Sequence, residues 1–153
     1  MFLTNTTLTK ACLKKATDAI MKSILVNISR VLLALYFLLP GVSKFIFWDM
    51  HITLMETHNM TMVPLFLAIT GATQVIGSIF LLINKWVVAW AITFAAMIIL
   101  INLNLHDFWN IYEGVDARHE TQNFVKNLGI LAGLLALAAV SMEGPTSSWI
   151  SLL

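Results

Sequence analysis

The sequence predicts an all-α membrane protein, a bundle of four transmembrane helices with the N- and C-termini both cytoplasmic. Three observations carry that expectation. Of the 153 residues, 59% are hydrophobic and only 11% are charged, whereas soluble proteins are about 25% charged. A water-soluble fold of this size cannot cover so much apolar surface with so few charges, and lipid as the solvent removes the difficulty. Four stretches are each long enough to cross about 30 Å of hydrocarbon, which takes roughly 20 apolar residues in a helix. None of the four alternates with period two, which argues against a β-barrel. The net charge of +1 supplies no basic footprint for nucleic acid.

The elements follow in chain order. Residues 1–23 are read as a cytoplasmic amphipathic segment ahead of the membrane domain. Within it, LTKACLKKATDAIMKS (8–23) places Leu8, Cys12, Ala16 and Ile20 at i, i+4 spacing on one helix face. Its lysines suit an anionic leaflet surface. A signal peptide is the competing reading, but the apolar region would be too long and no Ala-x-Ala-like site follows. A mitochondrial presequence competes more weakly, since Asp18 is the one acid among many Thr and Lys. Cys12 is the single cysteine. An intrachain disulfide and a CxxC redox cycle are therefore impossible, so any electrons must come from a bound cofactor or a partner.

The membrane domain is expected over 24–153, with spans at about 24–47, 62–83, 86–105 and 124–142. Spans two and three are joined by little more than Asn84-Lys85, which makes them adjacent and antiparallel. The other links, 48–61 and 106–123, are longer. Lys10, Lys14, Lys15, Lys22 and Lys85 lie on one side and Lys44, Arg118 and Lys126 on the other. The positive-inside rule then puts the termini in the cytoplasm and the two longer loops outside.

Packing cues are small residues. Gly129-x-x-x-Gly133, with Ala132 and Ala136, and Gly71, Gly77 and Ser78 are read as close helix packing within one bundle. Self-association into a homo-oligomer is the alternative use of the same face. Pro40 inside span one removes a backbone hydrogen bond and is expected to kink the helix.

Polar residues inside the spans need a reason, because a charge at a span centre costs roughly 2.5–3.5 kcal/mol on insertion scales. Arg30 either snorkels to the inner head groups or sits in a buried ion pair, although no acid lies within the spans to receive it. Gln74 is expected to bond a neighbouring helix. On the outer side Lys44, Asn102, His106, Asp107, Lys126 and Asn127 fall at one membrane level. Asn102 and His106 are four apart and share a face. This group is the candidate ligand-binding vestibule, with His106 the candidate for proton exchange because histidine titrates near neutral pH. The catalytic residue is otherwise unassigned. Each member also has a plain role: Lys44 and Lys126 snorkelling, Asp107 capping a short helix from Phe108, and Trp48, Phe108, Trp109 and Tyr112 forming an interfacial aromatic belt. No metal is expected, since His51, His58, His106 and His119 have no standard ligand spacing. No HExxH, P-loop or GxGxxG occurs.

Three stretches then carry a resemblance. RVLLALYFLLPGVSK (30–44), HDFWN (106–110) and NFVKNLGILAGLLAL (123–137) resemble the DoxX family of small four-span membrane proteins, in order and spacing. The likeness covers about residues 24–145. Two departures stand out: Gln74 where the family usually has a glutamate, and Ala132 where it often has the first of two glycines. The resemblance implies a four-helix bundle in the bacterial inner (cytoplasmic) membrane, with relatives that are subunits of membrane oxidoreductases. Combined with the vestibule, it leads to a redox-linked subunit binding a quinone or a small sulfur-containing molecule. The alternatives are a membrane anchor or scaffold for a soluble oxidoreductase partner, and a small-molecule or lipid transporter.

Overall fold

The computed structural model describes residues 3–142, with side chains for Lys10 and from Cys12 onward; residues 143–153 of the expected membrane domain lie outside it. The described chain is all helix and connection. α1 spans Leu3–Ile46, α2 Trp48–Thr57, α3 Val63–Leu82, α4 Val87–Asn104 and α5 Ala117–Met142. Four of the five contain segments long and apolar enough to cross a membrane: Cys12–Ile46, Val63–Leu82, Val87–Asn104 and Ala117–Met142.

α1, α3, α4 and α5 form a closed ring in that order, each antiparallel to its neighbours, with the α1–α3 and α4–α5 pairs most extensive. The ring has a turn end, where 83–86 joins α3 to α4, and a loop end, where α2 and residues 105–116 lie. Its core is Leu33, Ala34 and Phe37 from α1, Leu81 from α3, Ala91, Phe94 and Ile98 from α4, and Leu134 and Leu137 from α5. Phe37 and Phe94 stack across the middle at 4.1 Å. The outward surface is equally apolar, with Leu32, Leu39, Ile69, Ile99 and Leu135 exposed. A surface of that kind is stable only against lipid.

Close approach is arranged by glycine. A Cβ on Gly41 would lie 2.8 Å from the Gln74 Cβ, and one on Gly71 would lie 2.9 Å from Phe45 Cε2, so α1 and α3 each give up a side chain to the other. Gly77 does the same for α4, where Trp90 and Phe94 fill its place. The Gly129/Gly133 pair behaves differently from expectation. Nothing lies within 4 Å of a Cβ on Gly129, and one on Gly133 only grazes Leu33 at 4.0 Å. That stripe therefore does not pack α5 into its own bundle: Ala132 and Ala136 are exposed beside it.

The elements differ from the sequence reading in three places. The segment 1–23 is not set apart from span one. α1 runs through both as one helix of 44 residues, about 66 Å at 1.5 Å per residue. Burial against the bundle begins near Val26 and Arg30, so the earlier residues form an arm beyond the turn end. Pro40, where a kink is expected, stands inside α1. The 48–61 link contains α2, whose Trp48, Ile52 and Met55 pack with Val63, Leu67 and Leu105 in a second small core. Finally α5 starts at Ala117 rather than near 124, because its first two turns are polar and escape a hydropathy window.

Arg30 takes neither of its expected roles. It is 8% exposed, and its guanidinium donates to the Leu81 carbonyl and, at 3.0 Å, to the Leu82 carbonyl, with a further bond to Asn27 Oδ1 at 3.1 Å. The last carbonyls of a helix lack intrahelical donors and carry its negative dipole end. Arg30 thus caps α3 from the neighbouring helix. Gln74 also departs from expectation. It is buried, yet its Oε1 has no partner, while its Cβ packs against Gly41 of α1.

Candidate functional site

At the loop end the four-helix ring opens into a cavity of about 740 Å³, within the range of small-molecule sites. α1 supplies Lys44 at its last turn. α2 and the turn after it supply His51, Leu54 and His58. α3 supplies Phe66, Leu67 and Thr70; α4 and its exit supply Met97, Leu100, His106 and Asp107; and Tyr112 closes one side. α2 is held over this space by its small apolar core, so the roof is made by an element too short for a hydropathy scan to find. Leu100 and Leu103 from α4 and Phe66 from α3 line the cavity and are exposed, so much of its lining on these two helices is apolar.

Two polar systems support its wall. In the first, His106 Nδ1 meets Glu120 Oε2 at 2.5 Å. Glu120 is on the first turn of α5 and is itself buried. A carboxylate on one imidazole nitrogen fixes the ring and leaves the other nitrogen to act as a proton acceptor. In the second, Asp107 Oδ2 accepts from Asn110 Nδ2 and from the Tyr112 hydroxyl, both at 2.6 Å. The expected helix from Phe108 is absent; residues 108–110 form a turn, closed by Asn110 N donating to the Asp107 carbonyl at 2.8 Å. Asp107 organises that turn through its side chain instead of capping a helix. Donation to the Asp107 carboxylate, helped by desolvation, pushes the Tyr112 hydroxyl above the usual tyrosine range. The sign follows from the protonated phenol being the donor. Its stabilisation is whole below about pH 10, the ordinary tyrosine value, and is lost as pH rises through the raised one.

His58 completes the wall. Its Nδ1 lies 2.9 Å from the Leu54 carbonyl, and its ring packs against Tyr112 with centroids 4.9 Å apart. The aromatic residues of the exit loop mostly turn the other way: Phe108 and Trp109 meet Phe124 edge to face at 5.4 and 5.9 Å. Of the expected aromatic belt, Tyr112 is thus drawn inward by Asp107.

The six vestibule candidates divide evenly. Lys44, His106 and Asp107 line the cavity. Asn102 and Asn127 do not. Asn127 Nδ2 donates to Asn102 Oδ1 at 2.7 Å, Asn102 Nδ2 donates to the Phe124 carbonyl at 3.2 Å, and the Tyr36 hydroxyl donates to Asn127 Oδ1 at 3.2 Å. These bonds tie α1, α4 and α5 together beneath the cavity, the usual work of buried amides between membrane helices. Lys126 is exposed and lies with Thr121 and Gln122 in a shallow depression on α5.

Sequence reasoning missed His58, Tyr112 and Glu120. For Glu120 a signal existed: Glu120, Asn127 and Leu134 recur at sevenfold spacing and all three are buried on α5. His58 and Tyr112 gave none, since turns of chain bring them together. Among the described residues no group of three or more His, Cys, Asp or Glu side chains is arranged to hold a metal ion.

Comparison with known proteins places these features in a family. The family model DoxX matches residues 25–107, from the first contact of α1 with the bundle to Asp107 in the cavity wall. No curated protein and no solved structure matches the chain.

Proposed function

The chain belongs to the DoxX family of membrane proteins, and from that premise we propose that it is a redox-linked membrane subunit whose loop-end cavity binds a quinone. The carrying observation is the cavity's mixed lining: the polar Lys44, His106 and Asp107 beside the apolar Leu100, Met97 and Phe66. A ligand with a polar head and a long apolar tail matches both. A small hydrophilic sulfur compound would use only the polar residues, so the apolar part of the lining favours the quinone. Lys44 would hold a ligand oxygen, and His106, braced by Glu120, would exchange protons with it. We place the protein in the cytoplasmic membrane of a bacterium, with the α1 arm inside and the cavity toward the outer face.

The second reading, an anchor for a soluble oxidoreductase, is favoured by one observation. α1 projects past the bundle as a basic arm whose residues from Cys12 to Leu25 are exposed. Both readings hold together if the arm recruits the partner and the cavity serves it.

The test is quinone binding to the purified full chain in detergent. Lys44→Ala and His106→Ala are expected to weaken binding about tenfold or more, the loss of one charge-assisted or buried hydrogen bond. Lys126→Ala should bind like the wild type. Absence of binding, or equal affinity in all four proteins, overturns the proposal.

A further inference from the structure

One apolar stripe on α1 continues past the end of the bundle. Leu13, Ile20, Ile24, Val31, Leu35 and Val42 follow one another at alternating steps of seven and four, so all six lie along one side of the helix. All six are exposed. The last three belong to the span, where Arg30, Leu33 and Phe37 on the other side are buried. The first three belong to the arm beyond the turn end. We propose that the arm lies on an anionic lipid surface, with the stripe against the acyl chains and the lysines among the head groups. This goes beyond the quinone reading, and it gives the arm a different partner from the anchor reading.

The charges agree with that placement. Lys10, Lys14, Lys15 and Lys22 all fall off the stripe, with Asp18 the one acid among them. Basic residues on the flanks and far side of an apolar stripe make a helix that lies in the plane of an anionic leaflet. The length of α1 agrees as well. Its 44 residues reach about 66 Å, against roughly 40–45 Å for a bilayer with its head groups. An upright arm would hold Leu13, Ile20 and Ile24, each more than half exposed, in water. An arm laid outward, away from the bundle, turns the lipid-facing side of the span into its own underside. The same stripe then meets lipid along its whole length.

The bend this requires falls at Val26. From Asn27 onward α1 is held, because Arg30 bonds both Asn27 and the end of α3. At that point the Ser29 hydroxyl donates to the Val26 carbonyl at 3.0 Å, a contact that competes with the helix ladder and often bends helices. A second copy of the chain is a poorer occupant of the stripe, since pairing two arms brings two lysine-rich helices together. An acidic protein would match the lysines but give no use to the stripe's continuity with the lipid-facing span.

The test is the depth of a nitroxide on the full chain in lipid nanodiscs, attached at Leu13→Cys in a Cys12→Ser background. Cys12 is the single cysteine, so the label sits at one place, on the stripe. In discs of phosphatidylglycerol and phosphatidylcholine in equal parts, dissolved oxygen is expected to relax the label more than an aqueous nickel complex does. In phosphatidylcholine alone the order is expected to reverse. Replacing Lys10, Lys14 and Lys15 together by Gln is expected to shift the arm toward water on the order of a hundredfold, about fivefold for each lysine near an anionic surface. Ile20→Asn is expected to release the arm with every lysine in place. A label that stays aqueous in the anionic discs overturns the proposal and leaves the arm to a soluble acidic partner. Equal depth in both lipids, or unchanged depth in the triple lysine variant, overturns it as well. Dipolar broadening between labels in discs that hold two copies would put a second copy on the stripe and overturn it too.

Discussion

Arg30→Leu is expected to lower the stability of the bundle by about 3 kcal/mol, the loss of two charge-assisted hydrogen bonds with their acceptors left in place. The guanidinium serves the Leu81 and Leu82 carbonyls at the end of α3, where the Leu81 carbonyl has one further donor, the Asn84 N–H at 3.1 Å. Leucine fills the space but takes these donors away, leaving the Leu81 carbonyl with the Asn84 N–H alone. Lysine restores the charge and not the fork, so Arg30→Lys should recover less than half of the loss. Unfolding in graded detergent denaturant, with helix content as the signal, measures both. Values within about 0.5 kcal/mol of wild type, the ordinary range for surface substitutions, would contradict the cap.

A contrast between two glycines carries the second large effect. Gly77→Leu is expected to destabilise the α3–α4 contact by about 1–3 kcal/mol or more, as overpacking does. A Cβ alone would fall 2.5 Å from Trp90 Cε3 and 2.6 Å from Phe94 Cζ. Neither ring has room to retreat, since Trp90 stacks on Phe80 and Phe94 on Phe37. Gly129→Leu, on a face with nothing within 4 Å, should be neutral or slightly stabilising, because glycine is the weaker helix former by about 1 kcal/mol. The same unfolding measurement reads both. Equal losses at the two sites would mean that the α5 stripe is covered and that Gly77 is not specially crowded.

The spans were legible because hydropathy is summed over 20 residues, and four such sums stand out in this chain. Segments that are short or mixed gave no such sum. α2 is ten residues long, and only Trp48, Ile52 and Met55 of its apolar residues pack into the small core, while Met50 and Leu54 are exposed. The first turns of α5 carry Arg118, His119 and Glu120, which hide a helix start from any apolar window. Membrane level placed Lys44, His106 and Asp107 near one another, but level does not give azimuth. Asn102 and Asn127 share that level, yet they face each other. Lys126 precedes Asn127 by one residue on α5, about 100° around the helix axis at 3.6 residues per turn, and that rotation puts it on the outside. Arg30 shows the opposite lesson. Its partner is a pair of backbone carbonyls, and a search for acidic side chains cannot find those.

The central claim is that a quinone-type head group sits between α2, α3 and the α4 exit. Photolabelling with an azido-substituted quinone, followed by peptide mapping of the purified protein, tests it most directly. Adducts are expected on residues 51–70 and 97–112, suppressed by excess unlabelled quinone and reduced in His106→Ala. Adducts confined to the α5 surface around Thr121, Gln122 and Lys126, or spread evenly over the lipid-facing helices and unaffected by competitor, would contradict it.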